Sequence, residues 1–167
     1  MPVYNHTGLV VSDLERSKRF YQQVLGFRLW YEDAIPDQAT AVLLGLEPPL
    51  GMQVSYLVLD GFVLELLYFS APGAIGEWRR RSMNEPGLTH LSVSVDDTRS
   101  SARQAVDQGG TIVEESDIGA GLFVRDPDGQ LIELLSKDYP QRRPPMPPAV
   151  PVGGIEPAIP SDPEGDG

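Results

Sequence analysis

An internal duplication is the feature that most restricts which fold this chain can adopt. Residues that begin a strand, cap a helix or end a helix recur at a constant offset along the 167-residue sequence. The matched pairs are His6 and His90, Asp13 and Asp97, and Gly26 and Gly110. In each half an apolar strand precedes a helix with an aspartate at its N-cap, and a glycine ends that helix. The sequence therefore predicts two similar β-α-β-β-β modules.

Module one is predicted to span about residues 3–70. Its elements are expected to be a strand at His6–Val11, helices at Leu14–Leu25 and Gln38–Leu46, and strands at Phe27–Tyr31, Met52–Leu59 and Phe62–Phe69. Asp60-Gly61 separates the last two strands and is typical of a two-residue hairpin turn. These two strands are therefore predicted to pair antiparallel.

Module two is predicted to span about residues 86–137. Its elements are expected to be a strand at Leu88–Val95, a helix from the Asp97 cap to about Gln108, and strands near Thr111–Glu114, Leu122–Arg125 and Leu131–Ser136. The segment Asp126–Gly129 has the composition of a turn between the last two strands. Module two thus repeats the element order of module one, apart from the second helix.

The C-terminal segment, residues 138–167, differs in composition from the domain predicted at residues 1–137. Nine of the sixteen prolines fall in the last 29 residues, and no periodic apolar pattern accompanies them. Such a segment buries too little apolar surface to offset its ordering entropy. We predict a disordered, proline-rich tail.

Composition restricts the chemistry and the partners. The formal net charge of −11 disfavours nucleic acid and anionic membranes, which bind clustered Lys and Arg. The chain contains no cysteine, so thiolate ligands and disulfides are excluded. No run approaches the roughly 18 apolar residues that a membrane-spanning helix needs, and a cytoplasmic location is the default expectation.

Two histidines and two glutamates are the candidate site residues. His6 and His90, the only histidines, begin the first strand of each module. Glu65 and Glu133 lie inside apolar strands, in VLELL and LIELL, where a carboxylate is costly to bury unless it is paired or bound to a cation. Taken singly, each residue has an ordinary structural role, but their matched positions favour a metal site. Two imidazoles and two carboxylates suit one divalent ion such as Zn²⁺, Ni²⁺, Co²⁺, Mn²⁺ or Fe²⁺.

Several motifs of the chain resemble one known family. They are HTGLVVSDLERS at His6, FYQQVLGF at Phe20, LELL around Glu65, GLTH ending at His90 and DPDGQLIE ending at Glu133. Together they resemble the vicinal oxygen chelate superfamily over about Val3 to Ser136. That superfamily includes glyoxalase I, methylmalonyl-CoA epimerase, extradiol dioxygenases and the fosfomycin and bleomycin resistance proteins. The resemblance implies an α+β fold in which paired modules form a curved mixed sheet around a metal, often in a homodimer.

The resemblance also implies a reaction class. In the glyoxalase and epimerase branches a glutamate moves a proton at the carbon next to a carbonyl, and Glu133, or else Glu65, is expected to do so here on a small substrate chelated through oxygen. The expected protein is therefore a metal-dependent lyase or isomerase. One alternative is a binding protein of the resistance type. Another is an Fe²⁺ extradiol dioxygenase, which the lack of a third histidine disfavours.

The epimerase branch fits less well than the glyoxalase branch. Epimerases of the family often carry a further acidic residue on the strand before the Glu65 strand. Here Met52–Leu59 contains no acidic residue and offers only the hydroxyl groups of Ser55 and Tyr56.

Overall fold

The computed structural model describes residues 2–76 and 82–139. The predicted tail therefore lies outside the described residues from position 140 onward. Module one contains β1 (Thr7–Val10), α1 (Leu14–Leu25), β2 (Arg28–Ala34), α2 (Asp37–Leu44), β3 (Met52–Leu59) and β4 (Phe62–Phe69). Module two contains β5 (Leu91–Val95), α3 (Thr98–Asp107), β6 (Thr111–Val113), the 3₁₀ turn Glu114–Ser116, β7 (Gly121–Arg125) and β8 (Leu131–Ser136). No helix within the described ranges is long and apolar enough to cross a membrane.

The predicted helix caps are confirmed in both modules. The Asp13 carboxylate accepts a hydrogen bond from the Arg16 amide at 2.9 Å, and Asp97 accepts one from the Ser100 amide at 2.9 Å. Each bond satisfies an amide that the first helical turn leaves without a partner. Gly26 ends α1 with φ of 79°, a left-handed conformation that a residue without Cβ adopts at little cost.

Several element bounds differ from the prediction by one residue, and three differ by two or more. β2 continues to Ala34 because β3 pairs with it along its whole length, to Gln53. Helix α2 ends at Leu44, since Gly45 takes a left-handed φ of 66°. β5 begins at Leu91 because its pairing with β8 begins there.

The strands form two four-stranded mixed sheets, with orders β1-β4-β3-β2 and β5-β8-β7-β6. In each sheet the first strand runs parallel to the last strand of its module and the other pairs are antiparallel. The α+β class and the duplicated modules are thus confirmed, with one sheet per module. Among the described strands, β1 and β5 are edge strands of separate sheets.

One apolar core joins the two modules. Alternate residues of each sheet point to one face, and these faces pack around α1 and α3. The fully or nearly fully buried members are Val11, Phe20, Tyr21, Val24, Leu25, Phe27, Leu57, Leu64, Leu66, Ala102, Ala105, Leu122, Val124, Ile132 and Leu134. Because both modules contribute to it, this core fixes how they sit against each other within one chain.

A polar contact also ties module two to the start of α1. The Asp128 carboxylate accepts hydrogen bonds from the Ser12 amide at 3.0 Å and from Arg16 Nη2 at 2.8 Å, and it also contacts the Ser12 hydroxyl. Nearby, the buried Tyr21 hydroxyl donates to Asp126 Oδ2 at 2.9 Å. Burial raises the pKa of both Tyr21 and Asp126, so their hydrogen bond lies in a poorly solvated environment.

Candidate metal centre

The first half-site lies on module one and joins His6 to Glu65. β1 runs parallel to β4 with Gly8 opposite Glu65, which brings the residue just before β1 alongside the carboxylate. His6 Nε2 lies 3.0 Å from Glu65 Oε2. Glu65 is only 8% exposed, so its carboxylate has to find its polar partners within the protein rather than in bulk water.

Tyr56 is the second partner of Glu65. It lies opposite Glu65 in the β3–β4 hairpin, and its hydroxyl donates to Glu65 Oε1 at 2.6 Å. Burial, followed by the hydrogen bond and charge of Glu65, raises the pKa of Tyr56 above the ordinary value for a tyrosine. The phenol therefore keeps its proton at neutral pH and acts as a hydrogen-bond donor.

The second half-site lies on module two and is more open. His90 Nε2 lies 3.6 Å from Glu133 Oε2, and the Ser92 hydroxyl donates to the same oxygen at 2.7 Å. The Glu133 side chain is 24% exposed, against 10% for Glu65. Within the described part of the chain, Glu133 Oε1 accepts no hydrogen bond.

The other ring nitrogens orient both imidazoles. His6 Nδ1 lies 2.6 Å from the Asn5 side-chain oxygen, and because this oxygen is an acceptor, the contact fits a ring with a proton on Nδ1. His90 Nδ1 lies 2.9 Å from the Thr89 hydroxyl. Each Nε2 is thereby turned toward its glutamate, as in metal sites where a hydrogen bond at one nitrogen presents the other to the ion.

The first pair fits a divalent cation. An imidazole that donates Nδ1–H to Asn5 would direct the lone pair of Nε2 toward the Glu65 carboxylate, so Nε2 and Oε2 could both bind one cation. Neighbouring ligand atoms of an octahedral ion lie about 3.0 Å apart when the bonds are about 2.1 Å long. The 3.0 Å between Nε2 and Oε2 matches this spacing, whereas the 3.6 Å in the second pair is wider.

The structure pairs the four predicted ligands but does not unite them in one chain. Strand alternation places Glu65 and Glu133 on the sheet faces opposite those that form the shared core. Among residues 2–76 and 82–139, no three histidine or carboxylate side chains converge to hold a metal ion. The four-ligand site of His6, Glu65, His90 and Glu133 therefore stays a prediction, and each module supplies half of it.

A cleft of about 1020 Å³ lies near the edge strands β1 and β5. It is lined mainly by apolar residues such as Leu9, Phe62 and Val93, and it reaches His90. Neither Glu65 nor Glu133 lines this cleft in the described chain. The carboxylates instead lie outside it, on the outward sheet faces.

The sequence interpretation missed the hydroxyl partners of the two glutamates. The position of Tyr56 could have been predicted from the sequence. A two-residue turn at Asp60-Gly61 pairs Leu59 with Phe62, and this register places Tyr56 opposite Glu65. Ser92 had no such signal, since the register of a parallel pair such as β5 and β8 is not set by a short turn.

Comparisons with known proteins agree with this architecture. The family model described as Glyoxalase/Bleomycin resistance protein/Dioxygenase superfamily matches residues 3–134. The lactoylglutathione lyase of Haemophilus influenzae is 30% identical over 136 residues, covering 78% of this chain and 89% of that protein. The lactoylglutathione lyase of Neisseria meningitidis is 32% identical over 140 residues, covering 79% and 88%.

Solved structures show the same fold. A glyoxalase family protein from Bacillus cereus superposes with a TM-score of 0.66 at 20% identity, covering 80% of this chain and 92% of that chain. The trypanothione-dependent glyoxalase I of Leishmania major gives a TM-score of 0.57 at 26% identity, covering 78% and 84%. The resemblance drawn from the motifs is thus confirmed, and the chain belongs to the Glyoxalase/Bleomycin resistance protein/Dioxygenase superfamily, the vicinal oxygen chelate proteins.

Proposed function

We propose that this protein is a divalent-metal-dependent lyase of the glyoxalase type, which moves a proton next to a carbonyl of a 2-hydroxyacyl thioester such as lactoylglutathione. The observation that carries the proposal is the pair of matched His–Glu half-sites, each with Nε2 turned toward its carboxylate. Relatives named lactoylglutathione lyase, at 30% and 32% identity over most of both chains, support the substrate class.

We further propose that the working enzyme is a homodimer. The His6–Glu65 pair and the His90–Glu133 pair lie on outward faces of different sheets, while the shared core and the Asp128 contacts hold the two modules of one chain together. A second copy related by a twofold axis supplies the missing half to each site. Each metal site then combines one pair with the other pair of the partner subunit, giving two sites per dimer.

A bound divalent ion would act as a Lewis acid that stabilises negative charge developing on the substrate oxygens. His6, Glu65, His90 and Glu133 would hold it. Four protein ligands leave two positions of an octahedron open, which matches a substrate that binds through two neighbouring oxygens.

The chain's own contribution is proton transfer by a carboxylate. Glu133 takes the proton from the hydroxyl-bearing carbon of the thioester and returns it to the former carbonyl carbon, while a second proton passes between the two substrate oxygens. The product is the hemithioacetal of a 2-oxoaldehyde. Breaking its carbon–sulfur bond releases the aldehyde and the thiol, with no oxidant or reductant consumed. The same steps run in reverse from aldehyde and thiol.

The test combines metal content with turnover. The full-length chain is purified without chelator or affinity metal, its transition metals are measured by inductively coupled plasma mass spectrometry, and turnover of methylglyoxal with glutathione is followed by proton NMR. We expect about one metal ion per chain, since a dimer has two equivalent sites. Thioester should form only in the metal-loaded protein.

Two other outcomes would overturn the proposal. Oxygen consumption with catechols by the iron-loaded protein, without thioester formation, would identify a dioxygenase. A protein that takes up no metal on reconstitution and turns over no thioester, but binds a small molecule tightly, would identify a binding member of the family.

A further inference from the structure

The duplication allows the surroundings of the two glutamates to be compared position by position. Glu65 faces Gly8 on the parallel strand and Tyr56 on the antiparallel strand. The matching neighbours of Glu133 are Ser92 and Phe123. Each glutamate therefore has one hydroxyl neighbour, but the hydroxyl comes from opposite sides in the two modules.

Because the hydroxyl groups come from opposite sides, the two glutamates differ in which carboxylate oxygens have a partner. In module one, Tyr56 bonds Oε1 of Glu65 and His6 contacts Oε2, so the two oxygens have separate partners. In module two, Ser92 and His90 both approach Oε2 of Glu133. Counting partners among residues 2–76 and 82–139, Glu65 is contacted at both carboxylate oxygens and Glu133 at one.

Packing holds the Tyr56 ring in place. The ring centroid lies 5.7 Å from that of His6, 6.3 Å from Trp30 and 6.1 Å from Tyr31. A side chain enclosed by three other rings has few alternative rotamers. On the other side of Glu65, Gly8 has no side chain. A Cβ at this position would lie 3.7 Å from Glu65 Oε2 and 3.1 Å from Leu67, so its absence leaves room beside the carboxylate.

We propose that Tyr56 is a positioning residue that fixes Glu65 as the permanent metal ligand and thereby leaves Glu133 as the glutamate that moves to transfer the proton. This inference rests on the proposed metal-dependent function. The Tyr56 hydroxyl donates to Oε1 and so opposes rotation of the carboxylate, which keeps Oε2 beside His6 Nε2, where the two atoms would hold the ion. Groups that orient metal ligands in this way contribute about 10- to 100-fold to metal affinity.

The test is the Tyr56→Phe variant of the full chain, which removes the hydroxyl and keeps the ring. Phe123 already occupies the matching position of module two, so phenylalanine is compatible with this register. The control is Tyr31→Phe, since the Tyr31 hydroxyl donates to Asp33 at 2.9 Å and not to the glutamate. Both variants and the wild type are titrated with Co²⁺ in competition with a chromogenic chelator, and the visible spectrum of the bound Co²⁺ is recorded.

We expect Tyr56→Phe to weaken Co²⁺ binding about 10- to 100-fold and to change the Co²⁺ spectrum, with less than about a twofold effect in Tyr31→Phe. A double-mutant cycle tests whether Tyr56 acts through Glu65. Tyr56→Phe should cause no further loss of Co²⁺ affinity in a Glu65→Gln background. In a Glu133→Gln background it should cause its full loss. A purely structural role of the ring would not produce that pattern.

The two ways of failing are distinguishable. Equal affinities and spectra for Tyr56→Phe and Tyr31→Phe, in a wild type that binds Co²⁺, would overturn the positioning role and leave the proposed function standing. A wild type that binds no Co²⁺ would overturn the proposed function, and the positioning role with it.

Discussion

Module one and module two share their strand order and their histidine–glutamate pair, yet they surround the glutamate differently. Glu65 is nearly buried and has a partner on each carboxylate oxygen, whereas Glu133 is more exposed and is contacted on one oxygen. A duplicated fold thus supplies equivalent donor atoms, while the neighbouring side chains decide which oxygens of each glutamate have a partner. This difference supports the proposal that Glu65 holds the metal and that Glu133 transfers the proton.

The largest expected effect is on turnover in Glu133→Gln. The amide keeps the size of the side chain but cannot accept the substrate proton, so we expect turnover of methylglyoxal with glutathione to fall about 10³-fold. Glu65→Gln should instead act mainly through weaker metal binding, and its turnover should recover in part at high metal concentration. Undiminished turnover in Glu133→Gln would reverse the assignment.

A second prediction concerns the contact that holds the modules together. Asp128→Asn removes the charge that accepts hydrogen bonds from Ser12 and Arg16, and we expect it to lower the free energy of unfolding by about 2 kcal/mol. The control is Asp60→Asn in the shorter turn of module one, which should change the free energy by less than about 0.5 kcal/mol. Urea denaturation measures both. Equal effects would show that the Asp128 contact does not stabilise the chain.

A third prediction exchanges the two glutamate environments. Phe123→Tyr places a hydroxyl opposite Glu133, at the position that Tyr56 occupies opposite Glu65. If Glu133 moves during turnover as proposed, a hydrogen bond from this hydroxyl should slow turnover about 10-fold while metal affinity stays within about threefold. Steady-state kinetics and the Co²⁺ titration measure the two effects separately. A loss of affinity without a loss of turnover would contradict the assigned roles.

The smallest expected effect is on the pH dependence of stability. Burial raises the pKa of Asp126, so the folded state favours its neutral form. That contribution is complete below the unfolded value of about 3.9 and is lost as the pH rises through the raised pKa of the folded state. Asp126→Asn cannot titrate and should show a flatter profile as the pH rises above about 4. Profiles of identical slope in urea unfolding would show that Asp126 does not cause the dependence.

Much of the fold was readable from the sequence because it depends on local signals. Asp13 and Asp97 cap helices through their own neighbouring amides, and Asp60-Gly61 sets the register of β3 and β4 without any distant contact. The end of β2 and the start of β5 were placed less accurately, because strand ends depend on where the partner strand begins and ends.

The candidate site could be predicted only in part, because it also depends on contacts between segments that are distant in the sequence. The duplication predicts which histidine and which glutamate belong together within a module, and the structure places them side by side. The duplication does not determine which faces of the two sheets pack together. The same alternation of apolar residues allows the modules to pair within one chain or across two chains. In the structure α1 and α3 bury one face of each sheet in a shared core, which is a tertiary feature that the repeat does not specify.

The most direct test of the central claim, a metal site shared between two chains, is co-expression of the His6→Ala and His90→Ala variants. Each variant alone damages both sites of its homodimer and should bind no metal tightly. In a mixed dimer one site carries both substitutions and the other carries neither. Random pairing should therefore restore about one quarter of the wild-type metal content and turnover. No restoration, with mixed dimers shown to form by mass spectrometry, would contradict the shared site and place all four ligands within one chain.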